Sequence, residues 1–139
     1  MDDLVRWLGE QLDEDERMAK ATTERQPYDE WDAVGAGDDD DAARSHWGVV
    51  RIARMAQSPA ARSLAVHIAR HDPARVLREI DAKRQLLDLH EPGEMEYVDG
   101  DVCMACDVRG GEPFYPCKTL RLLALPYADR PGYREEWRP

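Results

Sequence analysis

The sequence is poor in aromatic residues and has no long apolar run, and each shortage excludes a class of protein. Only one phenylalanine occurs among 139 residues, so the four tryptophans carry much of the aromatic burial that a modest core needs. No uninterrupted apolar stretch approaches the roughly 20 residues of a membrane-spanning helix. The chain starts Met1-Asp2-Asp3, whereas a signal peptide starts with positive charge. We therefore predict a cytoplasmic protein without a membrane partner.

Cysteine is also scarce, and its few positions carry most of the chemical information. Three cysteines lie near the C-terminus, and in a cytoplasmic chain such a cluster suits thiolate coordination of a metal better than disulfides. Cys103-Met-Ala-Cys106 has the spacing of a zinc knuckle, in which two thiolates turn toward one ion. Cys117 supplies a third thiolate and His90 completes a tetrahedral Cys3His shell. The alternatives are a redox pair or unligated thiols.

The length of 139 residues predicts one domain. We assign it to the α+β class, as a small, mostly helical domain with a β-hairpin and a zinc knuckle. The predicted parts are an acidic N-terminal helix (1–26), a hairpin with an acidic loop (28–55), central helices (58–91), and a zinc-knuckle region with the C-terminal tail (92–139).

Helical periodicity and capping residues support the helical parts. Leu4, Leu8 and Leu12 recur at helical spacing in the first helix. Ser58-Pro59 and Asp72-Pro73 each place a capping side chain before a proline suited to the first helical position. Two central helices are therefore expected to begin there, the second reaching about residue 89. A short helix over 118–125 and a tail packed on the body are expected to follow.

Between the first and the central helices we predict two strands. Trp31–Val34 and Trp47–Ala53 are aromatic and β-branched, as strands are. Gly35-Ala-Gly37 and the run Asp38–Asp41 lie between them and predict an acidic loop. The four aspartates match no calcium-loop spacing, so we assign them no ion.

Charge is distributed unevenly along the chain. Residues 1–45 hold fifteen acidic against five basic residues, whereas residues 46–139 hold fourteen of each. Within the second part, residues 51–84 hold eight basic against three acidic residues. This asymmetry favours solubility and complementary contacts within the chain, with docking on a basic partner as the sharper alternative.

The basic middle raises the hypothesis of nucleic-acid binding, since a zinc knuckle and a basic helix often occur together in such proteins. The acidic N-terminal third and the sequence pI of about 4.8 weigh against it. The residues that we predict as nucleic-acid or partner contacts are Arg70, Arg75, Arg78, Lys83 and Arg84.

A zinc site in a protein is either structural or catalytic. A catalytic zinc keeps one position open for water, and three thiolates weaken its Lewis acidity, so four protein ligands favour a structural site. A deaminase would need His-x-Glu and Pro-Cys-x-x-Cys, and neither motif occurs. His67 and His71 are spaced as in a metalloprotease helix, but Ile68 stands where the catalytic glutamate would be. We expect one of these histidines to be packed and the other to cap a helix.

Several segments resemble a family of small uncharacterised proteins of Streptomyces, related actinobacteria and their phages. They are Asp3-Leu-Val-Arg-Trp-Leu8, His67–Arg84, Pro116–Asp129 and Arg134-Glu-Glu-Trp137. The family is a domain of unknown function, so the resemblance implies a bacterial or phage cytosolic origin rather than an activity. It also implies a histidine after the long helix and Cys-x-x-Cys followed by Cys. Lys118 departs from the proline expected after the third cysteine, which leaves the ligand set intact.

Together these observations predict a non-enzymatic interaction or regulatory module with structural zinc and an unknown protein partner. The first alternative is a nucleic-acid-binding regulator that uses the basic central helices. The second is a zinc-dependent hydrolase. The oligomeric state stays open.

Overall fold

A computed structural model of the chain describes residues 2–24, 31–34, 41–45, 51–55, 59–106 and 114–139, with side chains over 2–23, 63–106 and 114–139. The chain forms two compact units, one of residues 15–79 and the other of residues 1–14 with 80–139. The single domain remains a prediction. No helix within the described ranges combines the length and the apolar character needed to cross a bilayer.

The structure confirms the mostly helical α+β class. Two long helices, α1 and α3, provide much of the described chain, and the strands are short. In chain order the elements are α1 (Asp3–Glu24), β1 (Trp31–Val34), β2 (Asp41–Ser45), β3 (Arg51–Met55), α2 (Pro59–Arg70), α3 (Pro73–Leu89), β4 (Pro92–Gly93), β5 (Val102–Cys103), α4 (Lys118–Ala124) and two 3-10 turns (Leu125–Tyr127 and Glu135–Trp137).

Three strands in the unit of residues 15–79 form an antiparallel sheet in the order β1-β2-β3, and α2 packs on it. The sequence predicts two strands here, and β2 is a third strand that it does not predict. Asp41-Ala-Ala-Arg-Ser45 lacks β-branched and aromatic residues, so its strand state depends on pairing with a neighbour on each side. Residues 35–40 of the predicted acidic loop and residues 47–50 of the predicted strand lie outside the described residues, and Asp41, predicted in the loop, begins β2.

The central helices begin where their prolines predict. Helix α2 starts at Pro59, although the predicted cap Ser58 lies outside the described residues. Helix α3 starts at Pro73, and the Asp72 carboxylate accepts a hydrogen bond from the Arg75 backbone N–H at 2.7 Å. This contact satisfies one of the unpaired N–H groups of the first turn, so the predicted aspartate cap is confirmed.

The predicted apolar stripe of α1 forms the core of the other unit. Leu4, Leu8 and Leu12 are fully buried there, as their helical spacing predicts. The C-terminal tail packs against the same helix through its aromatic residues. Trp7 lies with its ring centroid 5.7 Å from that of Tyr133 and 5.4 Å from that of Trp137. The tail thus closes the core with side chains that are far away in sequence.

A second aromatic contact joins the tail to α3. The Lys83 ammonium donates a hydrogen bond to the Tyr127 hydroxyl at 2.9 Å and lies 5.0 Å from the centre of its ring. The Arg130 guanidinium lies 4.8 Å from the same centre. Tyr127 is buried, so these contacts place two cations around an aromatic ring that is shielded from water. Lys83 is therefore engaged within the fold.

Gly132→Ala is expected to lower the free energy of unfolding by about 2–3 kcal/mol. Gly132 has a φ of +88°, which an alanine adopts only with strain, and an added Cβ would lie 2.8 Å from Trp7 Nε1. Gly9→Ala is the matched control, because a Cβ there meets nothing within 4 Å and alanine favours the helix. Urea unfolding should show opposite signs for the two variants; equal effects would contradict this account of the tail.

Candidate metal centre

The predicted metal ligands come from three elements of the unit formed by residues 1–14 and 80–139. His90 follows α3 directly, and its backbone N–H still bonds the Leu86 carbonyl at 3.2 Å. This bond continues the last helical turn, while Pro92 prevents the helix from going further. The side chain of His90 is buried. The end of α3 therefore positions the imidazole of His90 in the interior.

The knuckle holds two thiols on a short hairpin. Strand β5 pairs with β4, with Cys103 opposite Pro92, and the Met104 N–H bonds the Glu91 carbonyl at 3.0 Å. The Cys106 N–H then bonds the Cys103 carbonyl at 3.2 Å, which closes a tight turn. Cys103 is buried and Cys106 is half-buried. The hairpin begins at Pro92, because β4 uses the residues directly after the helix.

Cys117 lies at the start of α4. It is the residue that precedes the first helical turn, with extended backbone angles, and it is 1% exposed. Its carbonyl accepts the first helical hydrogen bond from the Arg121 N–H at 3.1 Å. Helix α4 therefore holds this thiol at a helix N-terminus, where a negative charge is stabilised by the helix dipole.

The four predicted ligands converge on one point. His90 Nδ1 lies 3.3 Å from Cys103 Sγ, 3.7 Å from Cys106 Sγ and 3.4 Å from Cys117 Sγ, and all four donor atoms lie within 4.8 Å of one another. One ring nitrogen has a single N–H or lone pair, so it cannot hydrogen-bond well to three sulfurs at once. A tetrahedral zinc shell separates nitrogen and sulfur by about 3.6 Å. The donor set therefore fits a candidate metal site.

Crowding of the thiols changes their acidity. Burial, followed by the neighbouring Cys103 and Cys117 thiols, raises the pKa of Cys106 to about 12. For Cys117 burial is the largest effect and acts upward. The backbone N–H groups of Leu120 and Thr119, with the other two thiols, outweigh it and lower the pKa. Three thiolates without a cation would therefore repel one another, whereas a divalent metal would compensate their charge.

Tyr115 lies two residues before Cys117 in the sequence, next to the thiol cluster. Burial is the main cause that raises the pKa of its phenol to about 12, and the nearby Asp2 carboxylate and the Cys103 thiol act in the same direction. Tyr115 therefore remains neutral at physiological pH. Its backbone N–H bonds the Asp101 carbonyl at 2.9 Å, which ties the knuckle to the segment that carries Cys117.

The predicted basic contacts are divided between the two units: Arg70, Arg75 and Arg78 belong to residues 15–79, and Lys83 and Arg84 belong to the other unit. Arg75 pairs with Glu79 at 2.7 Å, Arg84 pairs with Asp13 at 2.6 Å, and Lys83 bonds Tyr127. Arg70 and Arg78 are exposed. Most of these cations therefore already have partners within the fold.

The second histidine pair does not form a metal site among the described residues. His71 Nδ1 lies 2.8 Å from the His67 carbonyl at the end of α2, and the two rings are 4.3 Å apart. The predicted helix-capping role fits His71. The expectation that the other histidine is packed is wrong, because His67 is exposed as well. Within the described residues, the His90 cluster is the one group with metal-ligand geometry.

A groove that the sequence does not predict lies beside the metal site. It has a volume of about 650 Å³ and lies between α1 and the end of α3. Val5, Leu87 and Tyr115 supply apolar lining, and Glu10, Asp88 and Glu91 supply carboxylates. One signal was readable in advance: residues 85–106 contain six acidic residues and no lysine or arginine.

Comparison with known proteins gives a family but no function. A family model described as a family of unknown function (DUF6221) matches residues 1–139. A search of curated proteins and a search of solved structures each gave no match. The bacterial or phage origin therefore stays a prediction, and the site has to be interpreted from its own chemistry.

Proposed function

The chain belongs to this family of unknown function, and on that premise we propose that it is a non-enzymatic interaction or regulatory module held together by structural zinc. In this proposal His90, Cys103, Cys106 and Cys117 bind the ion. The single observation that carries the proposal is the convergence of one imidazole nitrogen and three sulfurs within 4.8 Å.

The donor chemistry supports zinc over other common metals. Three thiolates and an imidazole form a soft set that suits zinc, whereas calcium and magnesium prefer oxygen ligands. Bound zinc would cross-link the end of α3, the knuckle and the start of α4. Among the described residues of these elements, Val102 and Leu120 are the large apolar side chains that are buried next to the donors in sequence. A metal would therefore supply stability that the local core lacks.

A structural role is better supported than hydrolysis. Four protein donors close a tetrahedral shell, and three of them, His90, Cys103 and Cys117, are buried. A hydrolase would need one coordination position for water and a Lewis-acidic ion, and three thiolates reduce that acidity. The zinc-dependent hydrolase is therefore the less favoured alternative.

An interaction role draws support from the surface around the site. Leu89, Tyr97, Met104 and Phe114 are all more than half exposed, with exposures of 63%, 95%, 62% and 55%. All four lie within residues 89–114 of the chain, and large exposed apolar side chains of this kind often serve as protein contacts. Nucleic-acid binding has less support, since Arg75, Lys83 and Arg84 are engaged within the fold.

Elemental analysis of the untagged wild-type protein tests this proposal directly. We expect one zinc per chain. Cobalt exchanged into the site should give the visible spectrum of a tetrahedral thiolate complex, and added azide should leave it unchanged, because a closed shell has no exchangeable position. A wild-type protein without metal would overturn the proposal. A spectrum that shifts with azide would favour the hydrolase instead.

A further inference from the structure

We propose that the surface around the knuckle binds a lysine- and arginine-rich amphipathic segment of a partner protein. This inference rests on the proposed function, because the zinc site would hold the surface in shape. We call the acidic and apolar exposed residues of this region the knuckle surface. They are Asp88, Glu91, Glu94, Glu96, Asp99 and Asp101, with Leu89, Met95, Tyr97, Met104 and Phe114.

The acids of the knuckle surface outnumber the bases in their part of the chain, where residues 85–106 contain six acidic residues and no lysine or arginine. All six acids are exposed, and none of them forms an ion pair with a described residue. Zinc with three thiolates would add one further negative charge. Such a field attracts cations and repels phosphates. The charge therefore selects a basic protein segment over a nucleic acid or an anionic membrane.

The apolar residues of this surface are tied to the metal site. Leu89 precedes His90, Met104 follows Cys103, and Phe114 pairs with Val102 beside that cysteine. The Tyr97 side chain is 95% exposed. Its backbone φ is +77°, a value that residues other than glycine rarely adopt. The fold thus holds large apolar side chains in water at defined places, where a partner would bury them.

The groove extends this surface toward α1. Asp88 and Glu91 belong both to the groove and to the knuckle surface, so the two are continuous. Glu10 adds an acid from α1, whereas the nearby Asp13 is paired with Arg84. Arg6 is the one basic residue among the described lining, and it is paired with Asp3 at 2.6 Å. An apolar floor edged by carboxylates suits an amphipathic helix with basic flanks.

Fluorescence anisotropy on the zinc-loaded full chain tests the proposal. The probe is a labelled peptide of lysine and leucine at helical spacing, about 15 residues long, and a glutamate and leucine peptide is the comparison. We expect binding of the basic peptide alone, weakening between about 50 mM and about 500 mM salt. Equal binding of both peptides, or tighter binding of duplex DNA or anionic vesicles, would overturn the proposal. So would self-association that excludes the peptide.

Charge-matched variants locate the binding site. Glu94→Lys with Glu96→Lys should raise Kd at least about tenfold, since attraction becomes repulsion. Asp129→Lys with Glu136→Lys changes the net charge equally at exposed positions outside the knuckle surface, and should change Kd less than about twofold. Met104→Ser should raise Kd about tenfold by removing apolar contact. Equal effects of the two charge variants would overturn the assignment to this surface.

Zinc content and melting temperature, measured on every variant, separate the two proposals. Variants that keep zinc and stability but bind the peptide like the wild type would overturn this inference and leave the zinc module standing. Absence of zinc from the wild type would overturn the proposed function, and this inference with it, before any peptide is added.

Discussion

Cys117→Ser is expected to abolish zinc binding and to unfold much of the unit formed by residues 1–14 and 80–139. Structural zinc contributes about 10–16 kcal/mol to the folding of small metal modules, whereas a whole domain is stable by only about 5–15 kcal/mol. Cys117 is 1% exposed beside the other donors, so serine would leave a poor ligand in a buried position. Circular dichroism melting with elemental analysis measures both effects.

Two further variants separate coordination from packing at the same site. His90→Cys keeps four donors and should retain one zinc and most of the stability, whereas His90→Ala should lose both. Met104→Ser introduces a serine at an exposed position of the same knuckle and should retain zinc. An unchanged melting temperature in Cys117→Ser would show that the fold does not depend on the metal. Equal zinc loss in His90→Cys and His90→Ala would refute coordination by His90.

Trp7→Ala is expected to lower the free energy of unfolding by about 3–5 kcal/mol. The Trp7 ring packs on Tyr133 and Trp137, and its indole N–H donates a hydrogen bond to the Pro131 carbonyl at 3.0 Å. Alanine would leave a cavity between α1 and the tail. Tyr133 and Trp137 would then lose their aromatic contact with α1. Urea unfolding measures the loss.

Trp7→Phe is the matched variant, since it keeps an aromatic ring but removes the N–H. It should cost only about 1–2 kcal/mol, the value of a hydrogen bond and a small volume change. Leu122→Ala, at a side chain that is 49% exposed, should cost less than about 1 kcal/mol. Limited proteolysis should cut the tail faster in Trp7→Ala alone. Equal stability of Trp7→Ala and Trp7→Phe would contradict the proposed anchoring.

Local patterns predicted the helices because each pattern acts within a few residues. The stripe of Leu4, Leu8 and Leu12 is buried as expected, and Pro73 with Asp72 marks the start of α3. Strand β2 escaped prediction because Asp41-Ala-Ala-Arg-Ser45 carries no strand preference of its own. It becomes a strand only through hydrogen bonds to two neighbours.

The sequence alone determined which donor atoms are available to a metal. The Cys103–Cys106 spacing, Cys117 and His90 can all be identified from residue type and position. Only the tertiary structure decided that these donors meet, because Cys103 and Cys117 lie 13 and 27 residues after His90 along the chain. It also decided that Lys83 and Arg84 are used within the fold, while the acids between residues 88 and 101 remain exposed. Two charges pair according to their distance in space, and the periodicity of the sequence does not give that distance.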